Sequence, residues 1–214
     1  MKYIALDIGN VLCNVDMTFF IEDLSQTFNV SIQEATYFLR RFQRIHDLGY
    51  TTMADELKEK FGIKSEITID RLVKKWNSAV TPFTMILEMF NDLRDKHQLQ
   101  VALLSNIGVE HAIMMEETLN HGGFFPGAIK HFSCDVGARK PSMIYYQSFL
   151  WQYPKFKGCL YVDDLQENLD AGAKFGFIPF QFDLTKPGVD GKIKEIEQLI
   201  INSTAPKDKN SRWH

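Results

Sequence analysis

The sequence predicts an α/β protein: a doubly wound, Rossmann-like parallel sheet with a small helical block inserted after its first strand. Three observations carry this. Short apolar runs that read as strands buried on both faces recur along the chain and end abruptly in polar residues. Helical periodicity separates those runs, the pattern of a sheet with crossover helices. Between the first and second runs lie four helical segments, too many for one crossover connection.

The first run is Tyr3–Leu6, closed by Asp7 and the turn residues Gly9 and Asn10. Helical patterns follow over residues 17–28, 31–44, 52–61 and 68–77, with no convincing buried strand from Asp16 to Val80. Ser31 with Glu34 forms a capping box, and Thr68 is placed to cap the last of these helices. Core periodicity resumes at Thr81-Pro82 with a helix over 83–97 and a strand over 99–104, ending in Ser105-Asn106. A helix over 108–120 and a short strand over 129–133 lead to Arg139-Lys140-Pro141, where proline suits the first turn of the helix over 142–151. Tyr145, Tyr146, Phe149 and Leu150 make a core stripe on that helix. The stretch 158–168 holds a third buried strand ending in Asp163-Asp164; a helix over 165–175, a strand over 177–182 and a helix over 190–201 close the fold. The expected domains are therefore a core of 1–15 and 82–201, a helical cap of 16–81, and a polar tail of 202–214 without order.

At 214 residues the chain has room for one core with a small inserted module, and a formal net charge of −3 gives no reason to expect nucleic acid or an anionic membrane as partner. No window approaches a membrane span, and the N-terminus has no signal-peptide pattern. Cys13, Cys134 and Cys159 show neither CxxC nor zinc spacing; an odd count fits free thiols in a cytoplasmic protein, with Cys13 a small buried thiol.

If the strands are parallel, the loops bearing Asp7, Ser105-Asn106, Lys140 and Asp163-Asp164 open on one sheet edge, where α/β sheets bind ligands. Together they make an anionic cluster suited to a divalent cation, beside a lysine and donors suited to an anion. Asp7 fits a nucleophile for phosphoryl transfer through an aspartyl-phosphate, with Mg²⁺ compensating the meeting of two anions.

This ordered set resembles the haloacid dehalogenase-like (HAD) superfamily of hydrolases, over nearly the whole chain except the tail. The stretches DIGNVL, LLSN and DVGARKP are most similar to its bacterial sugar-phosphate phosphatases of the α-glucose-1-phosphatase kind. The resemblance implies a Mg²⁺-dependent phosphatase of a small phosphorylated metabolite such as a sugar phosphate. It implies metal ligation by Asp7, the Gly9 carbonyl and Asp164, with Asp163 behind them. It implies phosphoryl contacts from Gly9, Asn10, Ser105, Asn106 and Lys140, with Arg139 pointing elsewhere. Asp47, near Gly49 in the helical block, falls where these relatives carry an acid that faces the substrate. His46 reads either as a second such residue or as a surface helix-end residue. Asn168 reads either as orienting the acidic pair or as capping its helix. His111 and His121 read as ordinary polar positions.

One departure stands out. Most phosphatases of this superfamily carry a general acid two positions after the nucleophile, where this chain has Gly9. That keeps open a catalytically weak phosphate-binding or protein-interaction module on the same fold. A haloacid dehalogenase is disfavoured, because that chemistry needs no metal and usually lacks the acidic pair.

Overall fold

The computed structural model describes residues 2–204. The chain opens with β1 (Tyr3–Leu6) and β2 (Cys13–Val15), then passes through α1 (Thr18–Phe28), α2 (Ile32–His46), α3 (Met53–Phe61) and α4 (Glu66–Ser78). It returns by β3 (Val80–Pro82) to α5 (Thr84–His97), β4 (Gln100–Ser105), α6 (Val109–Gly122), β5 (Ile129–Phe132) and a short α7 (Ser133–Val136). The remainder is α8 (Met143–Gln152), β6 (Leu160–Asp163), α9 (Gln166–Lys174), β7 (Ile178–Gln181) and α10 (Val189–Thr204).

Five strands form one sheet in the order β5-β4-β1-β6-β7, every neighbouring pair parallel. The doubly wound α/β class expected from the sequence is the fold observed. β1 sits at the centre, and its Leu6 is level with Leu103 of β4 and Val162 of β6. The chain fills one side of β1 with β4 and β5, then crosses to the other with β6 and β7. The residues just past these strand ends therefore meet at a topological switch point.

Side chains alternate between the two faces of the sheet. Ile4, Leu6, Val101, Leu103, Leu160 and Val162 join one apolar cluster, while Ala5, Ala102, Leu104 and Tyr161 join the other. Helices α1 to α4 have a separate core around Phe20, Leu24, Phe42, Leu72 and Trp76. None of the described helices is long and apolar enough to cross a membrane.

Local chemistry sets the ends of these helices. Asn29 adopts φ 51° after α1, and Gly62 adopts φ 63° after α3. The Ser31–Glu34 capping box at α2 is present in both directions. At α4 the cap is Ser65 rather than Thr68, because the Thr68 N–H donates to Ser65 Oγ at 3.3 Å. Pro141 precedes the Ser142 cap of α8 instead of occupying the first turn. The stripe on α8 buries Tyr145, Tyr146 and Phe149, while Leu150 is only partly covered.

Two strands went unanticipated. β2 and β3 pair antiparallel, with Cys13 opposite Pro82 and Val15 opposite Val80. This ribbon joins the helical block to the sheet. At the other end, residues expected to be tail continue α10 as far as Thr204; residues 205–214 lie outside the described residues.

Candidate active site

Asp7 is the first residue past the central strand. Its backbone N–H still donates to the Val162 carbonyl at 2.9 Å, so the sheet ladder fixes where its side chain starts. Asp7 Oδ1 accepts from the Ile8 N–H at 2.7 Å and lies 2.9 Å from Lys140 Nζ. Both contacts fall on Oδ1, which leaves Oδ2 for chemistry.

Lys140 is 3% exposed, and its ammonium has three partners: Asp7 Oδ1, Asp163 Oδ2 at 2.7 Å and the Leu104 carbonyl at 2.8 Å. Three donors meet three acceptors, so a fully buried cation is satisfied. Burial opposes the charge, but Asp163 and Asp7 outweigh it and raise the lysine pKa. Asn106 holds the lysine's backbone, accepting from Lys140 N at 2.8 Å and donating to Lys140 O at 2.9 Å. A side-chain amide thus pairs with a main chain as a strand would.

Asp163 is equally well supplied. Oδ1 accepts from Leu165 N and from Asn168 Nδ2, both at 2.9 Å; Oδ2 accepts from Lys140 and from the Tyr161 hydroxyl at 2.5 Å. Asn168 therefore holds the first acid of the pair, Asp163. Asp164 is half-buried, and its Oδ2 accepts from Asn10 Nδ2 at 3.1 Å. Asn10 is left-handed at φ 51°, and its Oδ1 accepts from Val15 N at 3.2 Å. Asn10 and Asn106 each brace a loop, so a side-chain contact from either to phosphate relies on its second amide hydrogen.

Oxygens of Asp7, Asp163 and Asp164 lie within 4.8 Å of one another. The electrostatics of the three differ. Burial pushes Asp7 up most, Lys140 opposes this, and Asp163 adds to it, so the carboxyl rises from 3.8 to about 7. Asp163 is buried too, yet Lys140 and its other donors hold it below the ordinary value. Asp164 is raised, chiefly by burial. Three carboxylates against one lysine leave negative charge in excess, and hard oxygen donors at this spacing suit a hard divalent cation.

Gly9 is absent from the positive-φ glycines, and a Cβ there would meet Val15 Cγ2 at an ordinary 3.5 Å. A side chain is therefore sterically admissible at this position. Cys13 is a fully buried thiol pushed up to about 12 by burial first, then by Asp7, and is inert at neutral pH. Asp16 is exposed and accepts from Thr18 N at 2.9 Å, which makes it a turn residue at the start of α1.

The helical block reaches this edge through the end of α2. Asp47 is 9% exposed and forms an ion pair with Arg139 at 2.8 Å. Arg139 and Lys140 thus diverge, one toward the block and the other toward the sheet. His46 fits neither sequence expectation: it is fully buried, with Nε2 2.6 Å from Glu110 Oε2 on α6. Its ring fills the space over Gly108, where an added Cβ would lie 1.9 Å from Cε1. Glu110 also accepts from Met53 N at 2.8 Å, so one carboxylate ties α2 and α3 to α6. Burial works against the His46 cation, but Asp47 and Glu110 prevail and raise its pKa. His111 is likewise buried, stacked on Trp76 with ring centroids 4.6 Å apart, while His121 is exposed.

A cavity of about 100 Å³ lies where these groups meet, lined by Gly9, Ser105 and Asn106 from the sheet edge and by Asp47 and Trp76 from the block, with His111 between. A larger cleft of about 1090 Å³, lined by Arg41, Arg44, Glu56 and Glu59, includes none of the sheet-edge residues. The smaller cavity is the one that borders the sheet edge.

No family model and no curated protein matches the sequence. Solved structures do. The HAD family enzyme bt-2542 of Bacteroides thetaiotaomicron superposes with a TM-score of 0.73 at 22% identity, over 87% of this chain and 96% of that one. The same enzyme is known in complex with magnesium and inorganic phosphate, matching with a TM-score of 0.72 at 21% identity over the same shares. A predicted HAD-like hydrolase of Porphyromonas gingivalis matches at 0.72 and 16%, over 92% of this chain and 98% of that one. A HAD phosphatase of Thermococcus onnurineus matches at 0.62 and 13%, over 94% and 98%. At these identities the likeness establishes the fold, which is that of HAD enzymes.

Proposed function

We propose that this protein is a Mg²⁺-dependent phosphomonoester hydrolase acting on a small phosphorylated metabolite such as a sugar phosphate, with residues 16–81 as a cap over the site. The observation that carries this reading is Lys140, held between Asp7 Oδ1 and Asp163 Oδ2 with Asp164 completing the carboxylate group. The magnesium and phosphate complex of the Bacteroides enzyme supports the choice of cation.

Asp7, Asp164 and the Gly9 carbonyl would hold the metal, with Asp163 behind them because its oxygens already carry four hydrogen bonds. When bound, Mg²⁺ offsets the repulsion between a carboxylate nucleophile and a phosphate dianion. Asp7 Oδ2 attacks phosphorus as the bond to the ester oxygen breaks, and the departing alkoxide takes its proton from water. Water then cleaves the aspartyl-phosphate, releasing inorganic phosphate and restoring Asp7. Lys140 holds Asp7 in place and faces the developing charge, while Ser105 donates to a phosphoryl oxygen.

The test is a screen of phosphorylated metabolites with and without Mg²⁺. Phosphate release that depends on the metal is the expected result. Binding without turnover would instead favour the phosphate-binding module, the reading that Gly9 supports.

A further inference from the structure

We propose that Tyr161 is a positioning residue for the phosphatase reaction: its buried hydroxyl fixes Asp163 and so sets the Lys140 ammonium against Asp7. The inference rests on the phosphatase reading and adds to it a residue on the strand, two positions before the acidic pair.

Tyr161 and Asp163 are two residues apart on β6, so both side chains leave the same face of the sheet. Tyr161 is fully buried in an apolar cluster with Phe149, Phe156 and Phe177. Phenylalanine would fill that place as well, and a hydroxyl among apolar rings is costly unless it has a partner. The partner is Asp163 Oδ2 at 2.5 Å. A carboxylate only accepts, so the tyrosine donates.

The ring is seated by a gap in α9. Gly172 has no positive φ, so its backbone does not call for glycine. An added Cβ there would lie 2.9 Å from Tyr161 Cδ1 and 3.0 Å from Cε1. Tyr146 and Phe177 also pack on the ring, with centroids 6.1 and 5.5 Å away. Asn168, one turn before Gly172 on the same face of α9, donates to Asp163 Oδ1 at 2.9 Å. One helix thus fixes both oxygens of the carboxylate. Asn168 binds one directly, and Gly172 admits the tyrosine that binds the other.

The consequence falls on Lys140. Asp163 Oδ2 also accepts from Lys140 Nζ at 2.7 Å, and the same ammonium lies 2.9 Å from Asp7 Oδ1. The tyrosine hydroxyl fixes where Oδ2 points and takes up part of its charge, so Asp163 does not draw the ammonium away from Asp7. The Tyr161 ring faces the same ammonium, 5.9 Å from the ring centroid. Because Tyr161 is 0% exposed, its hydroxyl cannot touch substrate, and its effect passes through Asp163 and Lys140.

The experiment is steady-state cleavage of p-nitrophenyl phosphate at saturating Mg²⁺. Tyr161→Phe keeps the ring and removes the donor. It should lower kcat about tenfold, with KM and the calorimetric Mg²⁺ affinity within about twofold of wild type. Gly172→Ala presses on the ring whether or not it carries a hydroxyl. It should lower the melting temperature in both the wild type and Tyr161→Phe, yet lower kcat only in the wild type. That split separates positioning from packing. An unchanged kcat in Tyr161→Phe, a loss that falls on KM or on Mg²⁺ affinity instead, or an equal kcat loss from Gly172→Ala in both backgrounds would overturn the proposal. Failure of the phosphatase reading looks different: the wild type cleaves no ester. Denaturant unfolding then still decides the link between Tyr161 and Asp163. Tyr161→Phe should shift the midpoint less in an Asp163→Ala background than in the wild type, and equal shifts would overturn the link.

Discussion

The sheet edge and the helical block face each other across one small cavity and are finished to different degrees. At the sheet edge the polar atoms are matched apart from Asn168 Oδ1, which is buried without a hydrogen bond. Lys140 has three donors and three acceptors, and Asp163 has four donors on two oxygens. On the facing side, His46 Nδ1, Trp76 Nε1, Asn77 Oδ1 and Arg139 Nε are buried without a hydrogen bond. His46 Nδ1 stands 3.6 Å from Asp47 Oδ1, too far for one. The carboxylate and lysine group is thus almost fully partnered, whereas the side that faces it keeps several buried polar atoms unpartnered.

The strongest way to break this contrast is at Asp7. Asp7→Asn should leave the fold intact and lower turnover by on the order of 10⁴-fold or more, with circular dichroism reporting the fold and phosphate release the rate. Retained turnover in the folded variant would remove the covalent mechanism. Lys140→Met comes next. It leaves Asp7 and Asp163 buried without their cation and should cost about 3–5 kcal/mol in denaturant unfolding. An equal truncation at the neighbouring Arg139, which pairs with Asp47 of the helical block, should cost far less, and comparable losses would mean that the two pairings are built alike.

Gly9→Asp sharpens the comparison from the other direction. Because Gly9 does not need a positive φ, the substitution avoids the left-handed penalty. An acid there should speed esters with poor leaving groups by on the order of 10²-fold or more and barely affect a nitrophenyl ester. A wild type already insensitive to leaving-group pKa would show that another residue supplies the proton. Asp164→Asn should weaken Mg²⁺ binding by about 10- to 100-fold in a calorimetric titration, whereas Asp163→Asn should lower stability more than affinity. The reverse pattern would exchange their roles.

The smallest effect tests the His46–Glu110 tie. Partial burial works against the Glu110 charge, but hydrogen bonds from His46 and Met53 prevail and lower it from 4.5 to about 2. Its stabilisation is complete above pH 4.5 and fades as pH falls toward 2. His46 is raised above 6.5, so its share is complete below pH 6.5 and fades as pH rises through its higher folded value. Both contribute fully between pH 4.5 and 6.5. The melting difference between wild type and Glu110→Gln should be widest in that window, at about 2–4 °C. A difference that does not vary with pH would mean the tie is only steric.

The sheet edge was legible in the sequence because each strand writes its own end. An apolar run that stops in Asp, Ser or Asp-Asp marks both the element and the functional group beyond it. The helical block was legible only in part. Asp47 was singled out by resemblance alone, and His46 looked like a surface residue because nothing local shows that Gly108, far along the chain, leaves room for its ring. His111 read as an ordinary polar position, since its stacking on Trp76, far away along the chain, leaves no trace in sequence periodicity. The one available signal was Gly108 itself, a residue without a side chain where a loop meets a helix. β2 and β3 escaped because a three-residue strand is too short to display alternation.

That short ribbon has a kinetic consequence. β1 and β4 are neighbours in the sheet, yet the whole helical block separates them along the chain. Closing so long a loop would make β1–β4 pairing slow and entropically costly. With Cys13 fastened opposite Pro82, the effective path from β1 to β4 shrinks to the turn at 7–12 and α5. The closure cost of the excursion falls on the ribbon itself, and once the ribbon has formed, β1 and β4 need close only a short loop. The block thereby becomes a cassette whose helices mutation can rebuild without altering that last pairing, so long as the ribbon still forms.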